Sequence, residues 1–123
     1  MKDIKDYILE AYEKKIVIPA FEYNVITKSL EAYKDNDERK KNEGNGRPSK
    51  DQLDKVIEYL EDKKNFKYVG KLYEKEYRIP PFEYYTILQA LEAYVDNDDR
   101  KNNQGNGRPT DEQMKNVIKW FKK

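Results

Sequence analysis

Apolar residues recur along this chain at the three- and four-residue intervals of helices with one buried face. Ile4, Tyr7, Ile8, Ala11 and Tyr12 form such a stripe and predict a first helix over 4–17. Tyr23, Ile26, Leu30 and Tyr33 form a second, opened by Pro19, whose missing N–H costs nothing in a first helical turn. Beyond Tyr33 the polar run Asp35 to Asn42 is expected to prolong this helix until Gly44 stops it. Leu53, Val56, Ile57 and Leu60 mark a third helix over 49–62. It opens with the capping-box pattern Ser49-x-x-Gln52, in which side chain and backbone satisfy each other's orphan donors.

The whole pattern then repeats 61 residues later without a gap. Ile18-Pro19-Ala20-Phe21-Glu22-Tyr23 returns as Ile79-Pro80-Pro81-Phe82-Glu83-Tyr84, and Gly44-Asn45-Gly46-Arg47-Pro48 as Gly105-Asn106-Gly107-Arg108-Pro109. The first stripe reappears as Tyr68, Val69, Leu72 and Tyr73, with Ile16 replaced by Tyr77. The third reappears as Met114, Val117, Ile118 and Phe121 behind Thr110-x-x-Gln113. A tandem duplication makes each copy fold alike. The expectation is therefore an all-α protein of two three-helix repeats, 1–62 and 63–123, packed about a pseudo-twofold axis like a homodimer joined into one chain. The joining segment Glu61-Asp62-Lys63-Lys64-Asn65 has neither Gly nor Pro. The third helix of one copy is thus expected to run into the first of the next, kinked near Asn65, with Gly70 tolerated.

Composition narrows the chemistry. Charged residues make up 40% of the chain but balance to a net +1, which favours no polyanionic partner. There is no Cys and no His, which excludes disulfides, zinc fingers, thiol nucleophiles and His-based triads. The N-terminal Met1 to Asp6 is charged throughout and no apolar run approaches a membrane span, so a cytoplasmic protein without membrane or cofactor is expected.

The two copies differ in an informative way. Between Glu31 and Pro48, fourteen of eighteen positions match their counterparts, most of them polar, whereas the helical stripes have drifted. Cores normally resist change because tight packing registers a single methylene. The retained polar segment therefore marks a candidate contact surface. It comprises Asp35, Asn36, Asp37, Arg39, Lys40, Asn42, Asn45 and Arg47 in the first copy, and Asp96, Asn97, Asp98, Arg100, Lys101, Asn103, Asn106 and Arg108 in the second. The bland alternative is local support: glycines and proline for a tight turn, and Asp35 with Arg39 as a surface ion pair.

Asp35-Asn36-Asp37 begins like a calcium loop, but Arg39 and Lys40 fall where ligands and glycine belong, and Gly46 where the bidentate Glu belongs. With neither a phosphate-binding loop nor His or Cys, catalysis has little to work with, and no enzyme is expected. Gly46-Arg47-Pro48 and Gly107-Arg108-Pro109 resemble the core of AT-hook peptides and the minor-groove arm of serine-recombinase DNA-binding domains. That resemblance, three residues in each copy, implies DNA binding as the alternative function. Against it, Lys41 and Lys50 become Asn102 and Asp111, although phosphate contacts dominate such affinity. The expected function is a protein-interaction module presenting the same surface twice to a protein partner. Its expected role is a regulator, inhibitor or adaptor of the kind small phage and mobile-element proteins supply.

Overall fold

The computed structural model describes residues 13–123, and it corrects the all-α expectation: the protein is mixed α/β. Among the described residues there are six α-helices and one three-stranded antiparallel sheet. In chain order they are β1 (Lys14–Ile18), α1 (Ala20–Tyr33), α2 (Asp37–Lys41), α3 (Lys50–Glu61), β2 (Phe66–Val69), β3 (Glu74–Ile79), α4 (Pro81–Val95), α5 (Asp98–Asn102) and α6 (Asp111–Lys122).

The predicted first helix of the second copy is a hairpin of β2 and β3, and the end of its counterpart is β1. In Lys14-Lys15-Ile16-Val17-Ile18, Ile16 and Ile18 are buried while Lys15 and Val17 are exposed, the period of two that a strand imposes. Three consecutive β-branched residues favour that pleat over a helix. In β3, Tyr77 and Ile79 turn inward and Arg78 outward. The stripe from Ile4 to Tyr12 lies outside the described residues. Gly70 is not tolerated within a helix but turns the hairpin, at a φ of 69° that only glycine adopts without cost.

The joining segment is likewise corrected. α3 ends at Glu61, and Asp62 accepts from the Lys64 N–H to start a single 3-10 turn over Lys63–Asn65 that leads into β2. No helix runs from one copy into the next here. The second helix of each copy also stops early, at Tyr33 and Val95, and a separate short helix starts after Asn36 and Asn97.

The sheet order is β1-β3-β2, so the first repeat's strand pairs with the second repeat's hairpin. In that register Ile16 opposes Tyr77, its own counterpart 61 residues on, with Lys15↔Arg78 and Val17↔Glu76 on either side. A pseudo-twofold axis therefore passes between Ile16 and Tyr77. Lys14 reaches over the Tyr84 ring of the other repeat at 5.0 Å, and Lys75 over the Tyr23 ring at 3.8 Å, a second pair of crossings.

The three strongly periodic stripes face the core as their spacing predicts, with Tyr23 and Ile118 only partly buried at its margin. Ile26, Leu30, Tyr33, Leu53, Val56, Ile57, Leu60, Met114, Val117 and Phe121 join Ile79, Ile87 and Leu91 in one cluster fed by both repeats. α1 and α4 form its largest helix–helix interface. Both capping boxes are complete, with Gln52 N–H to Ser49 Oγ and Gln113 N–H to Thr110 Oγ1 at 3.1 Å and the return bonds at 2.9 Å.

Tyr77 ties the sheet to α3 by donating to the Leu60 carbonyl. Burial pushes its phenol up from the ordinary value of 10.0. The unfolded chain thus releases that proton first, so this contribution to stability is complete below pH 10.0 and is lost as pH climbs toward the folded-state value. Urea midpoints measured from about pH 9 to pH 11 should fall, and Tyr77→Phe should flatten that decline while lowering the neutral-pH midpoint.

Candidate functional site

The retained polar segment is first of all a joint. α1 ends with carbonyls that have no helical partner. The Arg39 guanidinium folds back under that end, only 2% exposed, and donates to the carbonyls of Tyr33 (2.7 Å), Lys34 (2.6 Å) and Pro48 (3.0 Å) and to Glu43 Oε1 (2.8 Å). Arg100 repeats the arrangement on Tyr94, Val95 and Pro109, with Asp111 as its carboxylate. Asn36 and Asn97 cap the short helices by accepting from the Arg39 and Arg100 N–H groups. Asn42 and Asn103 donate to the Glu38 and Asp99 carbonyls. The Asp35–Arg39 surface pair does not form, because Arg39 is inside.

The remaining candidates lie outside the joint. Asp35, Asp37, Lys40 and Asn45 are exposed, as are Asp96, Asp98, Lys101 and Asn106, with Lys101 standing 3.8 Å from Asp96. Arg47 and Arg108 are half-buried. Each is held through Nε by a carboxylate of its own elbow, Glu38 at 2.9 Å and Asp99 at 2.7 Å, and each donates to the carbonyl of the preceding glycine. Gly44 and Gly46 take φ of 74° and 90°, and their counterparts match, so this loop keeps one shape in both copies.

What the structure places beside these loops was not visible in either copy alone. The Gly-Asn-Gly-Arg-Pro loop of each repeat faces the start of the second helix of the other repeat. One groove, of about 280 Å³, is lined by Gly44, Gly46, Arg47, Pro48 and Gln52 together with Phe82, Tyr85, Thr86 and Gln89. The other, of about 240 Å³, is lined by Gly105, Gly107, Arg108, Pro109 and Gln113 together with Phe21, Asn24, Val25 and Lys28. Residue for residue the second lining is the first, displaced by 61 positions with the repeats exchanged. Glycines, arginine, proline, glutamine and phenylalanine are common to both. Phe21 and Phe82 are 45% and 46% exposed, although a side chain of that size usually finds cover. A third and larger cleft, about 550 Å³, adjoins the Phe21 groove through Lys28 and Arg108 and is lined further by Glu31, Asp35, Tyr94, Asn97 and Asp99.

Of the candidates named from sequence, the grooves and cleft gather Arg47, Arg108, Asp35 and Asn97, and leave Asp37, Lys40, Asn45, Asp96, Asp98, Lys101 and Asn106 aside. Phe21 and Phe82 were missed. Their signal was an aromatic residue retained in both copies but off the buried stripe. Among the described residues no group of carboxylates is arranged to hold a metal, and no helix is long and apolar enough to cross a membrane. No protein-family model matches the chain, and no curated protein and no solved structure matches it.

The two joints differ by a compensated exchange. In the first, Glu43 meets Arg39 and also accepts from the Lys50 N–H at 3.2 Å. In the second, Gln104 accepts from the Asp111 N–H at 2.6 Å, and Asp111 supplies the carboxylate. The guanidinium beside Glu43 and that beside Asp111 hold these carboxyls below their ordinary range. Arg39→Ala strands the Lys34 and Pro48 carbonyls, leaves the Tyr33 carbonyl with only the Asn36 N–H at 3.2 Å, and should lower unfolding free energy by about 3 kcal/mol in urea titration. Arg39→Lys should recover little of it, since an ammonium lacks the planar fork. Glu43→Gln with Lys50→Asp should cost less than the two single changes summed, a coupling that a double-mutant cycle reads directly.

Proposed function

We propose that this chain is a cytoplasmic, non-catalytic protein-interaction module, a regulator, inhibitor or adaptor, that takes two segments of a protein partner, one in each groove. The observation carrying this reading is the matched exposure of Phe21 and Phe82 beside a retained arginine and a glycine loop in two grooves built across the repeats. An exposed aromatic ring flanked by a guanidinium is the composition from which interface hot spots are drawn. Glycines leave the loop backbone open to a peptide, since a Cβ added at Gly44, Gly46, Gly105 or Gly107 would meet nothing within 4 Å. Two grooves related by a pseudo-twofold axis suit a partner that offers the same segment twice, and the second contact then gains from effective concentration.

The DNA reading has less support. Arg47 and Arg108, its central residues, are each neutralised by a carboxylate that moved with them through the duplication, from Glu38 to Asp99. A groove-binding arginine tied to an acid has lost much of its attraction for a phosphate-lined surface.

Phe21→Ala with Phe82→Ala should abolish retention of the partner in affinity capture from source cells while leaving the melting curve in place. Each single change should weaken retention about thirtyfold or more at its own groove and less overall, because the other groove still holds. Capture that ignores both phenylalanines, or duplex DNA bound with a steep salt dependence, would overturn the reading.

A further inference from the structure

The pseudo-twofold axis supplies an internal control for what the grooves hold. At the inner end of the Phe82 groove, the Tyr33 hydroxyl donates to Gln89 Oε1 at 3.3 Å, and Gln89 Nε2 donates to the Gly46 carbonyl at 3.3 Å. One carboxamide thus bridges a buried phenol and a loop carbonyl from the opposite repeat. The equivalent pair in the other half is Tyr94 and the Gly107 carbonyl, and the residue equivalent to Gln89 is Lys28. An ammonium has no acceptor for the phenol proton and cannot repeat that bridge in the same sense. Tyr94 is only 4% exposed, yet it lines the 550 Å³ cleft, and among the described residues its hydroxyl makes no hydrogen bond, while no sealed side-chain polar atom is left without a partner. The Gly107 carbonyl keeps the bond from its neighbour Arg108, as the Gly46 carbonyl does from Arg47, and in the first half that leaves room for a second donor. The same seat is therefore filled from within on one side and open on the other.

We propose that the open seat takes a glutamine side chain of the protein partner, its carbonyl accepting from the Tyr94 hydroxyl and its N–H donating to the Gly107 carbonyl, as Gln89 does in the other half. This rests on the reading of the grooves as protein-binding sites and assigns one of them its ligand chemistry. The two partners of the seat call for a group with both an acceptor and a donor: a carboxylate has no proton for the Gly107 carbonyl, although Lys28 and Asp35 stand in the same wall beside the Asp99–Arg108 pair at 2.7 Å and the Glu31–Lys34 pair at 3.2 Å. A carboxamide is the neutral group that both accepts and donates at this separation, as Gln89 demonstrates. The two grooves then differ at their inner ends: Gln89 bridges Tyr33 and Gly46 beside the Phe82 groove, and the Phe21 groove adjoins the cleft at Lys28 and Arg108.

The test is a titration of the 15N-labelled full chain with the peptide acetyl-Gly-Gln-Gly-amide, followed by amide chemical shifts. The expected result is saturable movement of Ala32, Asn97 and Gly107 at one site per chain, with Gly46 and Arg47 unmoved. Lys28→Gln should close the seat and remove the response. Gln89→Lys should open its twin, adding Gly46 and Arg47 and raising the count to two sites. Tyr94→Phe should weaken binding by about fivefold, the worth of one neutral hydrogen bond. No movement in a folded wild-type chain overturns the proposal, as does an equal response to the peptide with Glu in place of Gln, or a response that survives Lys28→Gln. If the peptide fails while Phe21- and Phe82-dependent capture of the partner stands, the glutamine seat alone falls; if capture fails as well, so does the interaction reading.

Discussion

Much of this molecule hangs on a guanidinium placed beneath the end of a helix. A buried cation costs several kcal/mol unless its surroundings replace the water it lost. Arg39 and Arg100 each find that replacement in three backbone carbonyls and one carboxylate, the charge-assisted bonds that a planar fork of donors makes best. The carbonyls belong to the end of a long helix and to the proline before the next one, so a single side chain sets where the first stops and the other begins. The loop between, with its glycines in left-handed conformation, is thereby held out toward the opposite repeat, where it becomes the wall of a groove.

This accounts for the inversion in which a polar segment outlasted a hydrophobic core. Core positions can trade volume with neighbours, as Ile16 and Tyr77 did. A side chain that must satisfy three fixed carbonyls has no substitute of another shape. Where change was possible it came in pairs: the carboxylate beside the guanidinium stands at Glu43 in one joint and at Asp111 in the other, where the amide of Gln104 replaces Glu43 and Asp111 replaces the ammonium of Lys50. The retained polarity was legible as a constraint. That the constraint served the chain's own backbone for Asn36, Arg39 and Asn42, and faced outward chiefly at Arg47 and the neighbouring glycines, was not, because the sequence carries no sign of which polar groups are buried.

The helices whose stripes ran over three turns and began at a capping box were read correctly, since both the spacing and the cap are local. The strands were misread for the opposite reason. β1 has five residues, too few for its period of two to compete with a helical stripe continued from Ile4, and what stabilises it is a partner strand 61 residues away. Long-range pairing of that kind leaves no trace in a short window. Phe21 and Phe82 escaped notice on similar grounds: an aromatic ring on a helix is expected to be core, and its exposure depends on what the other repeat brings near.

The sheet register has a consequence for how the chain could diverge. In an assembly of two identical subunits, a residue lying on the symmetry axis must face itself, and any substitution there is made twice at one spot. Covalent joining of the halves lifts that obligation. Ile16 against Tyr77 is a match of small with large that self-pairing forbids, and the Tyr77 hydroxyl spends its single proton on the Leu60 side only. Asymmetry introduced at the centre of the sheet is thus inherited outward. Lys28 on one flank and Gln89 on the other belong to the same freedom, by which two inherited copies of a surface come to differ in chemistry.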